Sequence, residues 1–215
     1  MSKDEGQEMK SELALTGDEP DLNREMSRYF GVLHDLLQQT QVTERDGRAV
    51  SLGTACARIR ELAHRAHDGG NKILFIGNGG SAGIASHLAI DYSKNGGLRS
   101  LAFNDPAALT CLGNDLGFHS VFARQVELHA RPGDLLVAIS SSGRSQNIVQ
   151  AVTSALGRNC RVVTLSGFDE DNDLRMMGEL NLYVASSAYG FVEVAHLALC
   201  HAILDIDTGW RSKDG

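Results

Sequence analysis

From Gly70 onward the chain alternates short, largely apolar runs with stretches of helical periodicity, and few folds accommodate that pattern. The runs at 72–76, 99–103, 134–139, 161–165 and 180–185 lack the in-and-out alternation of a half-solvated strand, so they read as strands buried on both faces. Between and after them, segments 81–93, 106–112, 119–129, 145–156 and 191–205 have helical length and spacing. Parallel strands need crossover connections, which such helices supply. The expectation is an α/β fold built on a doubly wound, five-stranded parallel sheet, with ligands at the carboxyl ends of the strands. Ahead of the sheet, Met26, Phe30, Leu33, Leu36 and Leu37 recur at helical spacing over 21–41, with Asp21 as candidate N-cap. A polar turn and a second helix over 48–67 follow, closed by Asp68, Gly69 and Gly70. These two are the N-terminal helices.

Composition narrows the function classes. A chain of 215 residues, 42% hydrophobic, can bury one sizeable core without staples. Its 20 Lys and Arg against 27 Asp and Glu leave a net charge of −7, which argues against nucleic acid as the main partner. No long apolar window points to a membrane. Residues 1–20 carry Asp4, Glu5, Glu8, Glu12, Asp18 and Glu19 and read as a disordered acidic tail; 21–210 read as a single domain and 211–215 as a C-terminal tail. Cys56, Cys111, Cys160 and Cys200 lie at least 40 positions apart and form neither a disulfide framework nor a Cys-rich zinc pattern, so a reducing, cytoplasmic setting is expected.

Two loops at strand ends carry the chemistry. Gly77-Asn78-Gly79-Gly80-Ser81-Ala82-Gly83 follows an apolar run and opens a helix, so backbone N–H groups can face an anion without interference from Cβ atoms. A tight turn without ligand is the plain alternative. The loop also satisfies the relaxed dinucleotide pattern GxGxxA, with Asp105 at the next strand end, which keeps an NAD-type site open. Ser140-Ser141-Ser142-Gly143-Arg144-Ser145 repeats the strand-to-helix setting with four hydroxyls, where a simple N-cap needs one. A dinucleotide fold does not call for this second cradle, and the pair favours a phosphosugar. On the helix opened by the glycine loop, His87 and Asp91 are four apart and share a face, so they can share a metal ion or a proton. On the last helix, Glu193 and His201 are eight apart, about 12 Å along the axis and about 80° around it. Either that helix begins after Glu193, or the two residues serve sites completed by different subunits. His196 can pair locally with Glu193, and Cys200 reads as a small core residue.

Four segments together carry a resemblance: GNGGSAGIASH at 77–87, NDPAALTCLGNDLGF at 104–118, ISSSGRSQN at 139–147 and EVAHLALCH at 193–201. In this order they resemble the SIS (sugar isomerase) domain family, and within it the phosphoheptose isomerases. The resemblance implies a Rossmann-like SIS domain, a homotetramer, and isomerisation of sedoheptulose 7-phosphate to D-glycero-D-manno-heptose 7-phosphate, or of a closely related phosphosugar, for heptose-containing surface glycans. It also implies one zinc ion per subunit. Carried over residue by residue, substrate contacts fall on Asn78, Gly79, Gly80, Ser81, Asp91, Asn104, Asp105, Ser140, Ser141, Ser142, Ser145 and Glu193. Metal ligands fall on His87, Asp91, Glu193 and His201, and the catalytic pair on Asp91 and His201. Two of these depart from the family pattern, with Asp91 standing for its Glu and Glu193 for its Gln. The resemblance makes Asp91 the base at carbon and His201 the acid at the oxygens. A non-catalytic member of the family, a sugar-phosphate sensor or a scaffold of the replication-initiator-associating type, is the alternative.

Overall fold

The computed structural model describes residues 19–210. The tails expected over 1–20 and 211–215 lie outside them, except that Glu19 and Pro20 open the first helix. Helix α1 (Glu19–Gln38) therefore begins before Asp21, which is not its N-cap. Strands β1 (Gln41–Glu44) and β2 (Ala49–Val50) come next, then α2 (Leu52–Asp68), capped by Ser51 through a hydrogen bond from the Thr54 N–H. The alternating part runs β3 (Ile73–Gly77), α3 (Gly80–Lys94), β4 (Ser100–Ala102), α4 (Pro106–Leu116), α5 (Val121–His129), β5 (Leu135–Ile139), α6 (Gln146–Gly157), β6 (Arg161–Ser166), β7 (Leu180–Tyr183) and α7 (Tyr189–Asp207).

The sheet has seven strands in the order β2-β1-β7-β6-β5-β3-β4. Its five parallel strands are those expected, and β1 and β2 extend the β7 edge antiparallel. The sequence reading gave residues 41–50 to a polar turn and the start of a helix. The segment carries few apolar side chains: Val42 is buried and Val50 packs partly against the core, while Glu44 is buried against Arg48 and Arg58.

The uninterrupted apolar runs of β3 and β5 are explained by the two cores. Ile73, Phe75, Leu135, Val137 and Ile139 face α2, α3 and α7, while Leu74, Ile76, Leu136 and Ala138 face α5 and α6. At about 25 cal/mol per Å2 of apolar surface, both faces of each strand contribute to stability. The edge strand β4 departs from the expectation of two buried faces, since Leu101 is exposed. Helix α7 is long and apolar enough to cross a bilayer, but Val192, Ala195, His196, Leu199, Cys200, Ile203 and Leu204 are buried in the protein.

Candidate active site

Strands β3 and β5 are parallel neighbours with Gly77 opposite Ile139, so the glycine and serine loops leave the sheet side by side. At Gly77 a Cβ would lie 2.5 Å from the Ser81 carbonyl oxygen, so the first turn of α3 can pack this close only on glycine. Gly79 has φ 54° and ψ −123°, a conformation that side chains resist.

Helices α2 and α4 start with side-chain caps, Ser51 and Asp105, the latter accepting from the Ala108 N–H at 2.8 Å. Like α5 and α7, helices α3 and α6, which follow the two loops, start without one. The first-turn N–H groups of α6 can meet an anion, whereas at the amino end of α3 the protein's own Glu193 carboxylate lies over Gly80.

Several side chains in the loops have fixed partners. The amides of Asn78 and Asn147 exchange two hydrogen bonds, at 2.9 and 2.8 Å. The Asn104 Nδ2 donates to the Ala82 carbonyl and to Ser86, and its buried Oδ1 has no hydrogen-bond partner. In the serine loop, Ser140 donates to Ser145 at 3.3 Å, Ser142 accepts from the Arg144 N–H, and the buried Ser141 hydroxyl has no partner. Buried polar atoms are normally satisfied, so Asn104 Oδ1 and Ser141 Oγ are the acceptor and the hydroxyl that a ligand can complete. Gly143 has φ 64°, and a Cβ there would overlap the side-chain amide of Asn172, which backs the loop.

His87 and Asp91 project from α3 toward His201 on α7. His87 Nε2 lies 3.2 Å from Asp91 Oδ2 and 3.2 Å from His201 Nε2, and His201 Nδ1 lies 3.7 Å from Asp91 Oδ2. All three offer ligand atoms within 4.8 Å of one another. A tetrahedral site with bonds of about 2.0–2.1 Å has edges of about 3.3 Å, so this set fits a zinc-like ion. Glu193 is not among them. Helix α7 begins at Tyr189, which removes the option of a start after Glu193, and the Glu193 carboxylate sits over Gly80 at the amino end of α3, where a Cβ would overlap it. His196 does not pair with Glu193 either: it is fully buried, with Nε2 3.1 Å from the Ser166 carbonyl, and burial lowers its pKa to about 4. Cys200, beside His201, is a core residue whose thiol burial pushes up to about 12.

Sequence reasoning missed Asn147 and Asn172 as parts of this architecture. Asn147 lies inside the 139–147 segment, two residues after Ser145, but nothing in its spacing announces a partner 69 residues away.

The SIS domain family model matches residues 28–167. The chain belongs to the SIS domain family. Within it, the chain is 37% identical over 161 residues to a phosphoheptose isomerase of Citrifermentans bemidjiense, covering 72% of this chain and 83% of that protein. A phosphoheptose isomerase of Chlorobium phaeovibrioides is 36% identical over 186 residues, covering 81% and 85%. The solved phosphoheptose isomerase of Neisseria gonorrhoeae superposes with a TM-score of 0.74 at 32% identity, covering 86% of this chain and 99% of that one. These matches put the chain in the phosphoheptose isomerase branch of the family. They span both loops and the His87, Asp91 and His201 cluster lies on the same fold.

Proposed function

We propose that the protein interconverts sedoheptulose 7-phosphate and D-glycero-D-manno-heptose 7-phosphate in the cytoplasm, as a step toward heptose-containing glycans. The observation that carries this reading is the convergence of Asp91 and His201 from different helices, α3 and α7, in a chain of the phosphoheptose isomerase branch. The relatives' names support the same activity. A non-catalytic scaffold has no use for such a pair, and the comparisons do not favour it.

The reaction moves a proton between C1 and C2 through a cis-enediol, which requires a base at carbon and an acid at the oxygens. The Asp91 carboxylate takes the carbon-bound proton, and His201 donates and accepts at the two oxygens. His87 holds Asp91 in place at 3.2 Å. The hydroxyls of Ser140, Ser141, Ser142 and Ser145, with the first N–H groups of α6, hold the phosphate, so remote binding energy orients the reacting carbons. Asn104 Oδ1 and the glycine loop, with Gly79, Gly80 and Ser81, take the sugar hydroxyls, and Asp105, already the cap of α4, borders them.

A zinc ion is the cofactor we propose, held by His87, Asp91 and His201, with the Glu193 carboxylate outside that set over Gly80; such an ion would polarise the substrate carbonyl. We also propose a homotetramer, as the family resemblance implies; the exposed Leu22, Met26, Tyr29, Phe30 and Val32 of α1 support an interface between subunits. The test of the activity is incubation of purified, metal-analysed protein with sedoheptulose 7-phosphate, followed by NMR. Appearance of the aldose is expected; no turnover of any heptose phosphate defeats the proposal.

A further inference from the structure

The Asn78–Asn147 pair is unlike the other polar contacts of the site. Each amide gives one N–H to the other's carbonyl oxygen, at 2.9 and 2.8 Å, so the two groups meet edge to edge. Turning either amide alone would set donor against donor and acceptor against acceptor, which fixes both rotamers together. Asn147 is buried, 4% exposed, and is the second residue of α6. Asn78 stands between β3 and the strained Gly79. Among the described residues, this pair supplies the only side-chain hydrogen bonds that join segment 77–81 to segment 140–147.

Two consequences follow from that placement. The edge of Asn78 that faces Asn147 is occupied by the protein itself and is not offered to a ligand. The backbone N–H of Asn147, in the uncapped first turn of α6, is fixed relative to the glycine loop that opens α3.

We propose that Asn147 is a positioning residue for the isomerisation: through Asn78 it sets the spacing between the loop that takes the sugar end and the loop that takes the phosphate end of one substrate molecule. This rests on the phosphosugar reading above. Each loop can bind its own group without the clasp, but one rigid substrate spans both only when their separation is held. Loss of the clasp therefore costs turnover far more than phosphate binding, because a displacement of about 1 Å at the reacting atoms lowers rate by up to about a hundredfold.

The experiment compares wild type, Asn147→Ala, Asn78→Ala, the double variant and the size-conserving Asn147→Asp. Each is assayed for kcat and KM with sedoheptulose 7-phosphate, for binding of inorganic phosphate and of the sugar phosphate by calorimetry, and for thermal midpoint, with assays well below that midpoint. The expected result is a kcat at least tenfold lower in Asn147→Ala and Asn147→Asp, with phosphate affinity within about twofold of wild type. The double variant should be no worse than the worse single variant, since both remove one clasp. Multiplying losses in the double variant overturn the proposal, as does phosphate affinity that falls with turnover, or wild-type kcat in Asn147→Asp. If the wild type turns over no phosphosugar, the isomerase reading fails by itself, and the calorimetry still decides on the clasp: the advantage of sugar phosphate over inorganic phosphate must shrink in the Asn147 variants, and an unchanged advantage rejects it.

Discussion

The Nε2 atoms of His87 and His201 face each other at 3.2 Å across 114 residues of sequence. Without an ion, one imidazole donates to the other; with an ion, both nitrogens are ligands at close to a tetrahedral edge. The pairing is possible because α3 and α7 pack on the same face of the sheet, with Leu88 and Leu199 in one core.

The first prediction concerns that centre. Purified protein should bind zinc, and His201→Ala or Asp91→Asn should weaken binding by about tenfold or more, since even the loss of a partner behind a ligand costs about 10–100-fold. His201→Ala should also abolish isomerisation while leaving circular dichroism and inorganic phosphate binding near wild type. Metal content by mass spectrometry and turnover by NMR check the two halves, and wild-type-like turnover by His201→Ala would defeat the assignment.

The second prediction concerns the phosphate cradle. On the proposed reading Ser142 and Ser145 donate to the phosphate, and hydrogen bonds to charged groups are worth about 1.5–3 kcal/mol each. Replacing both by Ala should weaken sugar-phosphate binding by roughly a hundredfold or more, measured by calorimetry. Unchanged affinity removes the serine loop from the site.

How much of this was legible in the sequence depends on where each signal lies. The five parallel strands were readable because two apolar cores demand uninterrupted runs such as Ile73, Leu74, Phe75 and Ile76. Strands β1 and β2 were not, because an antiparallel edge ribbon whose inward apolar side chains are the isolated Val42 and Val50 has no run to read. The start of α1 was misplaced by a local cue at Asp21, which lies inside the helix. His87 and Asp91 were legible as an i, i+4 pair on one helix, whereas the arrival of His201 beside them depends on tertiary packing, and only the family resemblance linked it to them. The place of Glu193 over Gly80 had no local signal at all.

The third prediction concerns assembly. Met26 and Phe30 are 52% and 57% exposed on α1, while Leu33, Leu36 and Leu37 on the same helix pack against the core. If the exposed stripe joins subunits, Met26→Glu with Phe30→Glu should shift the sedimenting species from tetramer to a smaller form at micromolar concentration. The burial of such side chains is worth about 1.5–3 kcal/mol each, and charge there adds a desolvation cost. A wild-type monomer with full activity would contradict the tetramer.

The last prediction follows from the buried imidazole of His196. Its Nε2 faces the Ser166 carbonyl, which only accepts, so Nε2 carries the proton and Nδ1 is bare and without a hydrogen-bond partner. Protonating Nδ1 would place a charge in a dry core, and burial accordingly lowers the pKa from 6.5 to about 4, against a smaller opposing effect of the Ser166 hydrogen bond. In the unfolded chain the same group takes up its proton near pH 6.5. Between those two values the unfolded state binds more protons than the folded one, so stability falls as pH drops from about 6.5 toward 4 and is fully present above that window. The size is roughly 3 kcal/mol over the whole interval, at 1.36 kcal/mol per unit. His196→Gln keeps a donor for Ser166 and removes the titration. Its urea midpoint at pH 7.5 should lie below wild type because the glutamine fits the site less well, but its decline from pH 7 to 4.5 should be shallower. Parallel pH profiles for the two proteins would show that other groups govern the acid side, and would leave His196 with a packing role alone.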